Sequence, residues 1–85
     1  MADARKVVLV TGASSGIGAA IAEALASAGY PVFGASRNPT ASAGAIETIT
    51  MDVDNNASVA AGVAAIAQRA GRLDAVINNA GLARN

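Results

Sequence analysis

The chain has 85 residues, 53% of them hydrophobic and 14% charged, with six basic and six acidic side chains and neither Cys nor His. That length admits one small domain, and the abundance of Val, Ile and Ala excludes a disordered chain. Balanced charge without a basic run argues against a nucleic-acid surface, and the missing Cys and His exclude disulfides and the usual transition-metal sites.

Charged residues crowd Met1 to Lys6, but the apolar run behind them covers only Val7 to Val10. It is too short for a signal-peptide core or a membrane span, so a soluble, cytoplasmic protein with no membrane partner is expected. As a continuous apolar run it predicts a strand covered on both faces of a parallel sheet. A Gly/Ser turn follows, and beyond it Ile17, Ile21, Leu25 and Ala28 recur at helical spacing, with Ala20 and Ala24 beside them. Ser14 or Ser15 can cap this helix and Gly29 can end it. Pro31 blocks its continuation, and Val32 to Ala35 predict a second strand.

The stretch "NPTASAG" (38–44) reads as a loop, and Ile46 to Met51 as a third strand. Asp54, Asn55 or Asn56 can cap a second helix, with Val59, Val63, Ile66 and Ala70 as its buried stripe and Gly71 at its end. Leu73 to Ile77 predict a fourth strand, and Asn78-Asn79-Ala80-Gly81 the turn after it. Strands alternating with helices mean parallel βαβ units with right-handed crossovers. The expected fold is α/β, a partial Rossmann-type doubly wound sheet with strand order 3-2-1-4. Residues 1–85 would form the N-terminal part of a dinucleotide-binding domain. Strands 1 and 4 flank the switch point, where ligands bind at the strands' carboxyl ends.

Both glycine-containing turns, 11–18 and 78–81, end at that crevice. Leaving a strand and entering a helix within five residues calls for glycine, which tolerates positive φ and close approach. The helix start adds unpaired N–H groups and the positive end of the dipole, together a cradle for a diphosphate. Gly12, Gly16 and Gly18 would bring the backbone close to it, with the Ile17 N–H, Ser14 and Ser15 as donors. The alternative is a tight βα turn with no ligand. An NTPase phosphate loop is disfavoured, because no Lys-Ser or Lys-Thr follows the last glycine.

The spacing in "TGASSGIG" resembles the T-G-x-x-x-G-x-G cofactor motif of the short-chain dehydrogenase/reductase family. "NNAG" (78–81) is similar to that family's second motif, and "DV" (52–53) to its adenine-contacting pair. The resemblance spans the chain from the first strand to just past the fourth. It implies that Thr11 shapes the phosphate turn and that Asp52 accepts a hydrogen bond from the adenine amino group, with Val53 beside the ring. Asn79, Ala80 and Gly81 would line the adenosine ribose and steady the sheet. Otherwise Asp52 merely precedes and loosely caps a helix.

An NAD-binding fold of this sort places an acid at the end of the second strand to hold the ribose 2′-OH. Here "FGASRNP" offers Ser36 and Arg37, the latter nineteen positions after Gly18. A guanidinium pairs with a 2′-phosphate, and Asn38 and the turn serines add hydrogen bonds, so NADP(H) is expected over NAD(H). The other possibility is a solvated Arg at a loop start.

The family's chemistry is hydride transfer between the nicotinamide and a carbonyl or alcohol carbon, with Tyr and Lys of a Y-x-x-x-K motif and a Ser at the reacting atoms. The only Tyr here, Tyr30, is followed four residues later by Gly34, and the only Lys is Lys6. No residue of the chain is assigned to catalysis, and the 85 residues alone are expected to be inactive. The resulting reading is the cofactor-binding portion of an NADP(H)-dependent oxidoreductase acting on a small carbonyl or alcohol substrate, expected to be a homo-oligomer. The competing reading is a free-standing half-domain or minimal scaffold that binds nucleotide or self-associates without catalysis.

Overall fold

The computed structural model describes residues 6–13, 16–37 and 46–79. The order is β1 (Val8–Thr11), α1 (Gly16–Ser27), β2 (Val32–Ser36), β3 (Ile46–Thr50), α2 (Asn56–Ala70) and β4 (Ala75–Asn78). All pairings are parallel and the sheet order is β3-β2-β1-β4. This is the doubly wound Rossmann-type arrangement expected from the alternation of strands and helices.

Alternate residues from Val7 to Val10 feed two separate cores, as a strand covered on both faces requires. Val7 and Leu9 pack with Phe33, Ala35, Met51 and Ile66 on the α2 side, while Val8 and Val10 pack with Val32 and Ala22 on the α1 side. Asn55 caps α2: its Oδ1 accepts the Ser58 N–H at 3.0 Å, and neither Asp54 nor Asn56 takes that place. Gly71, at φ 81°, closes the helix with its N–H donating to Ala67 O at 2.8 Å.

The helix stripes differ from those expected. In α1 the buried residues are Gly18 and Ala22, with Ile21, Leu25 and Ala26 partly buried. Ile17, Ala20, Ala24 and Ala28 are exposed. In α2 the buried pair is Gly62 and Ile66, and Val63 stands outside the core that Val59, Ile66 and Ala70 join. The reason is close approach. Met51 lays its side chain over Gly62, which has none of its own, so α2 meets the core along Gly62 and Ile66. The fourth strand starts at Ala75 rather than Leu73 and includes Asn78.

At the sheet's amino end, Asp74 Oδ2 accepts the Val7 N–H at 2.7 Å and Arg72 grips the same carboxylate with Nε and Nη2. The Arg72 guanidinium, aided by the Val7 amide, holds this carboxyl below its ordinary range. An exposed Arg69–Glu47 ion pair ties α2 to β3.

Candidate functional site at the carboxyl edge of the sheet

The carboxyl ends of the four strands carry the expected site residues in spatial order: Asp52 after β3, Ser36 and Arg37 at β2, the glycine turn at β1, and Asn79 after β4. At β1 the chain turns at Gly12, whose φ of 65° calls for glycine. The next residue doubles over β2, with the Ala13 N–H donating to Ala35 O at 3.1 Å. Helix α1 then begins at Gly16 with no acidic residue in its first turn, so no carboxylate of that turn offsets the positive dipole end.

Of the three turn glycines, the described fold accounts for two, Gly12 by its positive φ and Gly18 by close packing. Gly18 sits where a methyl would press into Gly12 O and lie 2.7 Å from Asn79 Nδ2 and 2.8 Å from the Gly12 carbonyl carbon. Here glycine lets the helix close onto the turn. Gly16 has neither a positive φ nor any described atom within 4 Å of an added methyl. Nothing in the described fold requires glycine there, and the open space it leaves at the helix start is the kind a close-approaching diphosphate fills.

The β4 side braces the same turn. Asn79 is 2% exposed and its Nδ2 donates to Gly12 O at 3.2 Å. Thr11 Oγ1 lies 3.1 Å from Asn78 Oδ1 and 3.3 Å from Ile77 O, both within donating reach. Thus residues some 67 positions apart in sequence lock the first and second glycine motifs together.

Asp52 is fixed through its backbone. Its N–H donates to Ser58 Oγ at 2.9 Å, its carbonyl accepts the Asn55 N–H at 3.0 Å, and its Oδ1 accepts the Asp54 N–H at 3.0 Å. Asp52 therefore does not cap α2. It closes a local turn, and Val53 packs against the α2-side core. Ser58 was not among the expected residues, although a hydroxyl one turn beyond a capping Asn is a recognisable signal. Ser36 ends β2 and its carbonyl accepts the Met51 N–H at 2.9 Å, while Arg37 beside it is exposed. Ile17 is 70% exposed. Ser14, Ser15, Asn38, Ala80 and Gly81 lie outside the described residues.

Fold and site together define a dinucleotide-fold protein with its glycine turn at the sheet's switch point. Residues 6–85 match the short chain dehydrogenase family, and the chain belongs to that oxidoreductase family. It is 42% identical over 77 residues to 3-ketodihydrosphingosine reductase of Bacteroides thetaiotaomicron, covering 91% of this chain and 29% of that protein. Among solved structures, ligand-free aldohexose dehydrogenase of Thermoplasma acidophilum superposes with a TM-score of 0.80 at 38% identity, over 86% of this chain and 28% of the other. The 3-ketoacyl-(acyl-carrier-protein) reductase of Brucella melitensis, complexed with NADH, gives 0.76 at 29% identity, over 84% and 32%. The chain thus spans about a third of the length of the relatives it matches. Among the described residues no helix is long and apolar enough to cross a membrane, and no group of acids suits a metal ion.

Proposed function

We propose that this chain supplies the NADP(H) site of an oxidoreductase that exchanges hydride with a carbonyl or alcohol substrate. The observation that carries the proposal is Gly16, a helix-start glycine that neither backbone geometry nor packing among the described residues calls for. The open space at this exposed helix start supports the reading, because it leaves room for a backbone-hugging ligand. When bound, the nicotinamide supplies or accepts the hydride. The protein's part is to hold the rest of the molecule. Backbone N–H groups at the start of α1, with Ser14 and Ser15, take the diphosphate. Asp52 and Val53 take the adenine, and Asn79, Ala80 and Gly81 the adenosine ribose.

Ser36, Arg37 and Asn38 are read as the 2′-phosphate site, since Arg37 follows β2 directly and is exposed to receive it. No residue of the chain is given a role at the reacting carbon. The Brucella neighbour carries NADH, so the test compares the two cofactors on one protein. Arg37→Asp removes the guanidinium and adds a 2′-OH acceptor. NADPH binding is expected to fall roughly ten- to 150-fold, the range for one charge-assisted hydrogen bond, while NADH binding holds or improves. Equal loss of both cofactors would overturn the NADP(H) assignment and leave Arg37 a solvated surface residue.

A further inference from the structure

A glycine stands in the middle of β2, at Gly34, paired with Val10 of β1 and Thr48 of β3. Glycine inside a strand costs backbone entropy and packs nothing, so it marks a bulge or a close approach. There is no bulge: the register runs unbroken from Val32 to Ser36. Its φ is not among the positive values, which belong to Gly12, Gly29 and Gly71 among the described residues. What meets it is the phosphate turn. A methyl at Gly34 would lie 2.9 Å from the Ala13 methyl and 3.4 Å from Ile46 Cγ2.

Neither neighbour is a long, flexible side chain that could swing clear. The Ala13 methyl is fixed to the backbone of the turn, and that backbone is tied down again by the Ala13 N–H to Ala35 O hydrogen bond at 3.1 Å. Two adjacent β2 residues therefore seat the same turn residue, Gly34 by giving room and Ala35 by accepting a hydrogen bond. On the opposite flank, Asn79 and Gly18 fix Gly12. The height of the turn over the sheet is set from both sides, and the direction of the α1 N-terminus with it.

We infer that Gly34 is a positioning residue for diphosphate binding, acting through Ala13. The inference rests on reading the turn as a diphosphate cradle. A side chain at position 34 lifts Ala13, lengthens its bond to Ala35 and tilts the N–H groups off the phosphate oxygens. Charge-assisted hydrogen bonds are strong only in good alignment, so a small lift is felt in affinity.

The test uses the intact protein with Gly34→Ala, Ala13→Gly and the double variant. Three quantities are read for each: affinity for NADP⁺, affinity for adenosine 2′-monophosphate, and hydrogen exchange at the Ala13 amide. Adenosine 2′-monophosphate keeps the adenine and 2′-phosphate but has no diphosphate. Gly34→Ala is expected to weaken NADP⁺ roughly tenfold, the loss of one charge-assisted hydrogen bond. It should speed exchange at Ala13 and leave adenosine 2′-monophosphate unaffected. The double variant, with the opposing methyl gone, should regain NADP⁺ affinity and slow exchange.

Equal loss of both ligands would overturn the inference, because it would place the disturbance in the end of β2 instead of the turn. So would unchanged NADP⁺ affinity in a folded Gly34→Ala, or a double variant that is not restored. Should Gly34→Ala fail to fold, the double variant decides alone: folded and binding supports the inference, unfolded removes it. An unaltered protein that binds no dinucleotide sinks the cradle reading, and that failure is visible before any substitution is made.

Discussion

Substituting Gly18 and Gly16 one at a time separates what the turn's glycines do for the fold from what they do for a ligand. In an unobstructed helix interior, Gly→Ala stabilises by about 0.8–1.0 kcal/mol. At Gly18 the new methyl meets the Gly12 carbonyl carbon at 2.8 Å and Asn79 Nδ2 at 2.7 Å, and overlaps Gly12 O. Comfortable contact between carbon atoms is about 3.5–4.0 Å. Helix and turn must therefore part by roughly 1 Å, or the Asn79 to Gly12 hydrogen bond must break. Overpacking costs about 1–3 kcal/mol, and a lost hydrogen bond about 0.5–1.5 kcal/mol more. Setting the propensity gain against these terms leaves Gly18→Ala destabilised by about 0.5–3.5 kcal/mol. Gly16→Ala meets no described atom, so its stability is expected to stay within about 1 kcal/mol of the unaltered protein, on either side. Its dinucleotide affinity should nevertheless fall, since the methyl occupies the ligand's approach. Urea denaturation gives the stabilities and isothermal titration with NADPH gives the affinities. A Gly18→Ala protein as stable as the parent would refute the packing argument. A Gly16→Ala protein with undiminished affinity would refute the assignment of that open space to a diphosphate.

Two further outcomes follow from the packing and the charges. Ile66 is fully buried between α2 and the sheet, so Ile66→Ala is expected to cost about 2–5 kcal/mol in urea denaturation, and Val63→Ala, outside that core, far less. Similar costs at the two positions would mean that α2 is rotated from the orientation described. Asp74 titrates below its ordinary value of 3.8 in the folded state because Arg72 and the Val7 amide favour the carboxylate. The unfolded chain then takes up its proton first as pH falls, so this stabilisation is complete above pH 3.8 and is lost as pH drops through the depressed folded value. Thermal melts from pH 6 downward should therefore show the unaltered protein losing more stability below about pH 4 than Asp74→Asn does. Parallel curves for the two proteins would count against the linkage.

Much of the architecture was legible along the chain. The unbroken Val7–Val10 run, the Pro31 and Gly29 stops and the alternation of strand and helix patterns lead to a parallel sheet ordered 3-2-1-4, as found. The glycine turn and the second motif also point to one crevice, because topology places the ends of β1 and β4 side by side. Helix faces were less legible. With so many alanines in α1 and α2, apolar residues lie on several sides and periodicity cannot choose among them. The choice fell to glycines at the lines of closest approach, Gly18 against Gly12 and Gly62 against Met51, which hydrophobic spacing does not register.

Element order, sheet class and the residue types gathered at the sheet's carboxyl edge follow from local pattern and connection rules along the chain. The partners that hold that edge in place emerge only in the folded chain: Asn79 on Gly12, Ser58 on the Asp52 amide, and Ala13 seated over Gly34. The Asn79 and Ala13 contacts join segments roughly 20 to 67 residues apart and depend on how closely those segments approach. No periodicity carries such information. It exists only once the strands are side by side and the missing side chain of one residue becomes the space for another.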